Sequence, residues 1–352
     1  MAEFKAEQNY PLASLTTFNV GGPARYFVSV KSEEALIKAL EFASSLAIPI
    51  FVLGGGSNIL VSDNGFDGLV IYNCIKGITS RPEGDNCCVY ARSGEDWQDF
   101  VDRCVSEKLQ GIECLAGIPG TVGASPVQNV GAYGQEVSDT IVEVRAVEVP
   151  TGKSIIFRNA ECGFGYRTSI FNSTSAGKYF ITGVAFLLKR NGQSSIVHKD
   201  LENQLKGIPN FTLEQVRDCT ITIRAGKGLL VRNGYERLRC AGSFFKNPVV
   251  SEEMSRHIKD AVRKLGEDPR FFWPLSSGEV KISAAGLIQS AGFGQGYRKG
   301  NVGLSSKHTL VITACGTATA QEVVEFAEEI QGKVKEKFGV LLDPEIRLVG
   351  FN

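Results

Sequence analysis

The segment 117–134, GIPGTVGASPVQNVGAYG, holds five glycines, two prolines and no charged residue. Glycine and proline at this density continue neither a helix nor a central strand, so the chain runs here as an irregular loop. An ordinary surface loop carries more charge. An uncharged one lined by small residues lets a flat ring and its phosphates lie against the backbone. Ile118, Pro119, Gly120, Gly123, Ala124 and Ser125 supply that surface, and Gln128 and Asn129 offer donors and acceptors to ring edges.

A second cluster, Gly54-Gly55-Gly56-Ser57-Asn58, follows an apolar strand expected at 50–53. Its three glycines leave backbone N–H groups uncovered, and Ser57 and Asn58 add polar side chains, a neutral nest for a pyrophosphate. A tight turn between strands is the plainer alternative and stays open. Neither this cluster nor Gly292-Phe293-Gly294-Gln295-Gly296-Tyr297 completes the G-x-G-x-x-G fingerprint, because isoleucine and tyrosine stand where the last glycine belongs. No Walker lysine follows a glycine loop either. The familiar nucleotide folds are therefore unsupported, and the glycines need another explanation.

Lys plus Arg equals Asp plus Glu, 38 each, so no net field draws the chain to nucleic acid or to an acidic membrane. Any anionic ligand has to be held by local groups. The start, MAEFKAEQNY, lacks the basic and apolar regions of a secretory signal, and no apolar run nears the roughly 18 residues of a membrane helix. A soluble, cytoplasmic protein is expected. Nine cysteines, an odd number with no C-x-x-C, read as reduced thiols. The three histidines are scattered, none at metal spacing from cysteine, and no metal is expected.

Along the chain, strands are expected at 26–30, 50–53, 69–72, 88–92, 141–149, 154–157 and 179–188. A helix capped by Ser32 places Leu36, Ile37, Leu40 and Ala43 on one face, and another helix lies at 97–105. A third region begins near Phe211, with helices at 213–223 and 283–291 and a strand at 309–313. The strongest helix signal spans 319–338: Thr319 and Glu322 form a capping box, Val323, Ala327, Ile330 and Val334 share a face, and Gly339 ends it. A closing strand is expected at 340–349, and the fold class is α+β.

Three positions invite chemistry. Arg167, in FGYR, is bracketed by aromatics and glycine, and suits a ligand carboxylate or phosphate; a structural salt bridge is the equal alternative. Ser243, in GSFFKNP, is not a G-x-S-x-G elbow and has no histidine near it, so a hydrolase triad is unsupported. Before two phenylalanines it can donate a proton in a water-poor site. Glu345, in DPEIR, shares one strand face with Asp343 and Arg347 by the period of two; a solvated outer face is the bland reading.

In this order, TTFNVGGPARYF, LGGGSNIL, AGIPGTVGASPVQNVGAYG, CGFGYR, AGSFFKNP, AAGLI and DPEIR resemble the UDP-N-acetylenolpyruvoylglucosamine reductase family of peptidoglycan precursor synthesis. The resemblance spans about 16–350. It implies a three-part flavoenzyme: residues 1–75 with 339–352, and 76–210, binding FAD in the vanillyl-alcohol-oxidase (PCMH) manner, and an α+β substrate domain at 211–338. It also implies a two-stage reaction in which NADPH reduces FAD and leaves, and the enolpyruvyl UDP-sugar takes its place. Arg167, with Glu345 beside it, matches the residues stabilising charge on the enolpyruvyl carboxylate, and Ser243 matches the proton donor. Tyr133, Lys227, Asn247 and His308 match substrate contacts; Arg224 joins the two glycine loops in holding FAD. By themselves Lys227 reads as a surface lysine and His308 as a structural histidine.

The chain departs from the family at 196–200 (IVHKD), where a tyrosine folds over the substrate and His198 stands here. It departs again at 228–240, with extra basic residues, and at Gln289, where an acid is common after AAGLI. Two other readings are a different FAD oxidase of the same binding fold, which leaves GSFFKNP and DPEIR without a role, and an inert flavin or UDP-sugar binder, indifferent to Ser243 and Glu345. No protein partner is indicated.

Overall fold

In the computed structural model, which describes residues 5–230, 238–266, 269 and 271–351, the helix expected after Ser32 runs Glu33–Ser45. The Ser32 hydroxyl accepts from the Ala35 N–H at 3.2 Å, while Glu33 and Glu34 complement the positive end of the helix. Leu36, Ala39, Leu40 and Ala43 are its buried stripe. That stripe covers a four-stranded sheet in which Phe66–Asn73 lies between Pro23–Val30 and Ile50–Leu53, parallel to both. Parallel neighbours need crossovers, which the helix supplies.

The chain forms two compact units. Unit 1 comprises Met1–Pro11, Ala24–Gly56 and Phe66–Glu236; unit 2 comprises Leu12–Pro23, Ser57–Gly65 and Arg237–Asn352. Besides the parallel sheet, unit 1 contains an antiparallel sheet centred on the strand Tyr179–Arg190, flanked by Ile141–Glu148 and Asn86–Arg92. Tyr179–Arg190 is buried over most of its length, which accounts for its continuous apolar run. Helix Trp97–Ser106 packs its Trp97, Phe100, Val101, Cys104 and Val105 face on that sheet, and Phe186 meets both aromatic rings. The Trp97 indole N–H is satisfied by the Leu115 carbonyl at 3.0 Å.

Unit 2 is built around helix Ala320–Phe338. Thr319 and Glu322 close its capping box, and Gly339 ends it in a left-handed conformation at φ 70°. The Asp63 carboxylate also accepts from the N–H groups of Ala320 and Gln321, so the first turn is capped twice over. Phe326, Ile330 and Val334 pack with Ile258 and Val262 of helix Glu252–Lys264, Leu287 and Ile288 of helix Ala284–Ser290, and Val302 and Ile312 of a three-stranded sheet. Short strand Arg347–Val349 pairs in parallel with Ile59–Val61.

Several expectations change here. The closing strand is confined to Arg347–Val349 rather than 340–349. Residues 343 and 345 are instead held by backbone bonds to 246 and 244 about an isolated bridge from Phe245 to Pro344, with Asp343 and Arg347 exposed, Glu345 half-buried, and Leu342 and Ile346 buried. The strand expected at 309–313 begins at Ile312, because the Val311 N–H turns back to the His308 carbonyl. Helix Glu252–Lys264 was not anticipated, although Ser251 caps it at Met254 and Ser255, Ile258 and Val262 form its buried stripe. Residues 339–352 lie in unit 2 with 237–338 and also with Leu12–Pro23 and Ser57–Gly65 of the N-terminal part, to which Arg347–Val349 pairs as expected.

All nine cysteines are free, and burial pushes the Cys162 thiol up to about 12. No group of three or more ligating side chains capable of holding a metal, and no helix long and apolar enough to cross a membrane, occurs among the described residues. Ile330 is wholly buried in unit 2. Ile330→Ala is expected to lower stability by about 2–5 kcal/mol through cavity formation, measured by urea unfolding, with the denaturant slope unchanged.

Candidate functional site

In unit 1 the two glycine-rich segments touch backbone to backbone. A Cβ on Gly55 would lie 2.7 Å from Gly120 Cα, and one on Gly54 would meet Thr121 Oγ1 at 3.0 Å. The glycines at 54 and 55 thus permit a close approach that no side chain allows. The loop itself is fastened to helix Trp97–Ser106 and to its preceding turn: the Trp97 N–H donates to Gly120, Val122 to Glu95 and Gly123 to Ser93. Ser125 is buried, with its hydroxyl donating to Val122 O.

Asn129 is 1% exposed, and its amide is committed internally. Its Nδ2 donates to Glu136 Oε2 at 2.8 Å and to Gly165 O at 3.2 Å, and its Oδ1 accepts from the Ser138 N–H. The side chain therefore ties the glycine loop to the FGYR turn. There Gly165 and Thr168 exchange backbone hydrogen bonds, leaving Tyr166 and Arg167 at the tip. Arg167 adopts φ 53°, a left-handed conformation unfavourable for a long side chain, and the Asn172 amide holds its carbonyl. Asn129 and Tyr133 share that conformation at φ 47° and 51°. Strained backbone at three neighbouring predicted positions marks a site whose geometry is imposed by its surroundings.

Arg224 projects from helix Leu213–Gly226 and is buried against Gly117, where a Cβ would sit 3.0 Å from Arg224 Cδ. Its Nη2 donates to Leu229 O at 3.1 Å, and it bonds the Tyr133 hydroxyl. Its Nε is buried and makes no hydrogen bond among the described residues, and no carboxylate there pairs with it. Burial pulls its pKa down, and nearby Arg167 adds to that. A guanidinium so placed calls for an anion. The cradle of Gly54, Gly55, Gly117 and Gly120 with this orphaned donor fits the pyrophosphate of a dinucleotide.

Arginine only donates, so the Tyr133 hydroxyl accepts from Arg224 and keeps its own hydrogen to give. Lys227, the residue after the same helix, lies 5.5 Å from the Tyr133 ring centroid and pairs with Asp200 Oδ2 at 2.6 Å. His198 packs edge-on against Tyr133 with centroids 5.0 Å apart, and caps helix Lys199–Leu205 by accepting from the Asp200 N–H at Nδ1. Its proton is thereby assigned to Nε2. Burial lowers the His198 pKa and raises that of Tyr133. The candidates Tyr133 and Lys227 and the flagged His198 are brought together here, and with them Asp200, which the sequence offered only as part of IVHKD and without a role. A signal for its helix was present in the N-cap it follows and the acidic first turn. The 228–240 segment lies in part outside the described residues.

Unit 2 carries Ser57, Asn58, Ser243, Asn247, His308 and Glu345. Phe244 and Phe245 are buried in its core, leaving Ser243 half-buried at the edge. The Glu345 N–H donates to Phe244 O, the Phe244 N–H to Leu310 O, and the Lys246 N–H to Asp343 O, bringing GSFFKNP, the His308 turn and DPEIR together. The Leu310 N–H donates to His308 Nδ1 at 3.1 Å. Asn58 steadies the same region: its Nδ2 donates to Glu345 O at 3.2 Å and its carbonyl accepts from the Arg347 N–H. Asn247 Oδ1 accepts from the Ala284 N–H at the start of a helix.

Residues 24–158 match the model of the FAD binding domain, and 234–349 match that of the UDP-N-acetylenolpyruvoylglucosamine reductase C-terminal domain. With the glycine cradle, this defines an α+β protein with an FAD binding domain followed by a reductase-type C-terminal domain. The chain is 41% identical over 353 residues to a UDP-N-acetylenolpyruvoylglucosamine reductase of Thermobifida fusca (strain YX), covering 97% of this chain and 98% of that one. The reductase of Streptomyces coelicolor is 39% identical, over 97% of this chain and 89% of its own. A crystal structure of UDP-N-acetylenolpyruvylglucosamine reductase from Thermus caldophilus aligns with a TM-score of 0.66 at 25% identity, covering 98% and 99%. The chain belongs to the UDP-N-acetylenolpyruvoylglucosamine reductase family.

Gly55→Ala forces backbone apart at Gly120. It is expected to destabilise the fold by about 1–3 kcal/mol and to weaken flavin retention. Thermal unfolding and the flavin absorbance per protein after gel filtration check both. An unchanged pair would mean that the two loops do not need their close contact.

Proposed function

We propose that this chain catalyses the NADPH-dependent, FAD-mediated reduction of the enolpyruvyl double bond of UDP-N-acetylglucosamine enolpyruvate. The product is UDP-N-acetylmuramate, a cytoplasmic precursor of peptidoglycan. Near-full-length identity to reductases of that name is the observation that carries the reading, and the orphaned Arg224 among the glycine loops supports its cofactor.

The chemistry that bound FAD supplies is transfer of a reducing equivalent from NADPH, as hydride, to the terminal carbon of the enol ether. Gly54, Gly55, Gly56, Ser57 and Asn58, the loop residues Ile118, Pro119, Gly120, Gly123, Ala124 and Ser125, and Gln128 and Arg224 bind and orient that cofactor, while Asn129 serves it by fixing the shape of the loop. Arg167 holds the substrate carboxylate and stabilises the negative charge that develops there; Glu345 assists in its protonated form, as a hydrogen-bond donor to that charge. Ser243 delivers a proton to the carbon that does not receive the hydride, and water restores the hydroxyl. A serine is a weak acid, so its place beside two buried phenylalanines, with water partly excluded, favours this donation. Tyr133, Lys227, Asn247 and His308 bind the UDP portion, Lys227 as a point charge for the diphosphate.

The two half-reactions separate the roles. Anaerobic NADPH is expected to bleach the flavin of wild type and of Ser243→Ala at similar rates. Recolouring by the enolpyruvyl UDP-sugar is expected to slow by about 10²- to 10⁴-fold in the variant. Recolouring at the wild-type rate would remove Ser243 as proton donor. Bleaching without recolouring in the wild type would point to a different acceptor, and a reconstituted protein with no flavin band would sink the reading.

A further inference from the structure

Asp200, beside Lys227 and Tyr133, has the wrong charge for an anionic ligand. Its carboxylate lies 2.6 Å from the Lys227 ammonium, and Lys227 sits over the Tyr133 ring. Tyr133 in turn joins Arg224 and His198. Among the described residues, that ring therefore has two cations, an imidazole edge and one carboxylate about it.

We propose that Asp200 determines ligand affinity in unit 1 by acting as a resident anion on Lys227, which an incoming diphosphate must displace and which recaptures the lysine when product leaves. This rests on the reading of Lys227 as a diphosphate ligand and adds to it a residue and a mechanism.

Three observations carry the assignment. First, the pair is exchangeable: the side chains of Lys227 and Asp200 remain 34% and 40% exposed, so water reaches both partners and neither is locked by burial. Second, the two residues belong to different helices. Asp200 is in the first turn of Lys199–Leu205, and Lys227 follows Leu213–Gly226. The short helix can therefore lose this tie and keep its anchors, since Leu201 and Leu205 are buried with Val216 and Tyr133 in one apolar cluster. Third, Asp200 stays charged in the resting protein, its pKa held below the ordinary carboxylate range by the Lys227 hydrogen bond. A diphosphate arriving at Lys227 must break that ion pair and then tolerate a carboxylate nearby. An anion of higher charge than a carboxylate wins the exchange, whereas a monocarboxylate gains little. The segment leading into Asp200 is itself pinned. The Ser194 hydroxyl and the Gln135 amide donate to the buried Glu113 carboxylate, so the chain approaching His198 starts from a fixed point.

A positioning role for Asp200 and a competing role predict opposite signs. Binding of UDP-N-acetylmuramate to the FAD-loaded protein, by titration calorimetry, is expected to tighten about threefold to tenfold in Asp200→Asn. Asp200→Ser, which keeps a polar residue in the helical first turn, is expected to move the same way. KM and kcat are expected to fall together as product release slows. In a Lys227→Met background, Asp200→Asn is expected to change binding less than twofold. Unchanged or weaker binding in Asp200→Asn and Asp200→Ser, with normal flavin content and melting, would overturn the proposal: Asp200 would then only hold Lys227 in place. If Lys227→Met alone binds the UDP-sugar as wild type does, the diphosphate assignment of Lys227 falls. The reductase reading is judged separately, by the recolouring experiment.

Discussion

A guanidinium taken out of water without a carboxylate costs several kcal/mol unless something anionic meets it. Arg224 is in that position in unit 1, and its surroundings are arranged about it. At Gly117, which has a φ of +75°, a side chain would run into Leu230 and Arg224. Tyr133 spends a lone pair on it and retains a hydrogen for a ligand. Lys227, three residues on, is the more solvated cation, and it is the one given an exchangeable partner. Under the proposed function the buried charge serves the group that stays, the flavin, and the exposed one the UDP-sugar that comes and goes.

The same economy of backbone governs the loops. Gly55 meets Gly120 closely enough that a methyl group would displace main chain, and one on Gly54 would press on the Thr121 hydroxyl. Asn129 shows the complementary device, a buried amide whose donors and acceptor are all spent on Glu136, Gly165 and Ser138. Its bond to Gly165 connects the uncharged loop to the turn that thrusts Arg167 out at positive φ. The site is held by tertiary hydrogen bonds rather than by regular secondary structure. In unit 2 the corresponding device is the backbone exchange between 244–246 and 343–345, which puts the Ser243 and Glu345 segments side by side within that unit.

Much was legible in the residues. The caps at Ser32 and Thr319, the stripe Val323, Ala327, Ile330 and Val334, and the long buried strand at Tyr179–Arg190 follow from local periodicity and end signals. The failures have a common cause. Residues 340–346 alternate enough to resemble a strand, yet a strand needs a partner in register, and only Arg347–Val349 finds one, at Ile59–Val61. Local pattern cannot supply a partner nearly 290 residues away. Asp200, visible in IVHKD, carried no signal of a role for a similar reason: its partner Lys227 caps another helix.

The sequence by itself determined the α+β class, the position of the glycine loops, the capped helices and the candidate residues, because these depend on backbone sterics and on neighbours within a few positions. Only the tertiary structure decided which polar groups are spent and which are left over. Asn129 is consumed by the protein, Arg224 keeps a buried Nε without a hydrogen bond among the described residues, and Lys227 is held by Asp200. Whether a side chain still has a hydrogen bond or a charge to offer depends on burial and on contacts between distant segments. Those arise only when the chain has closed on itself.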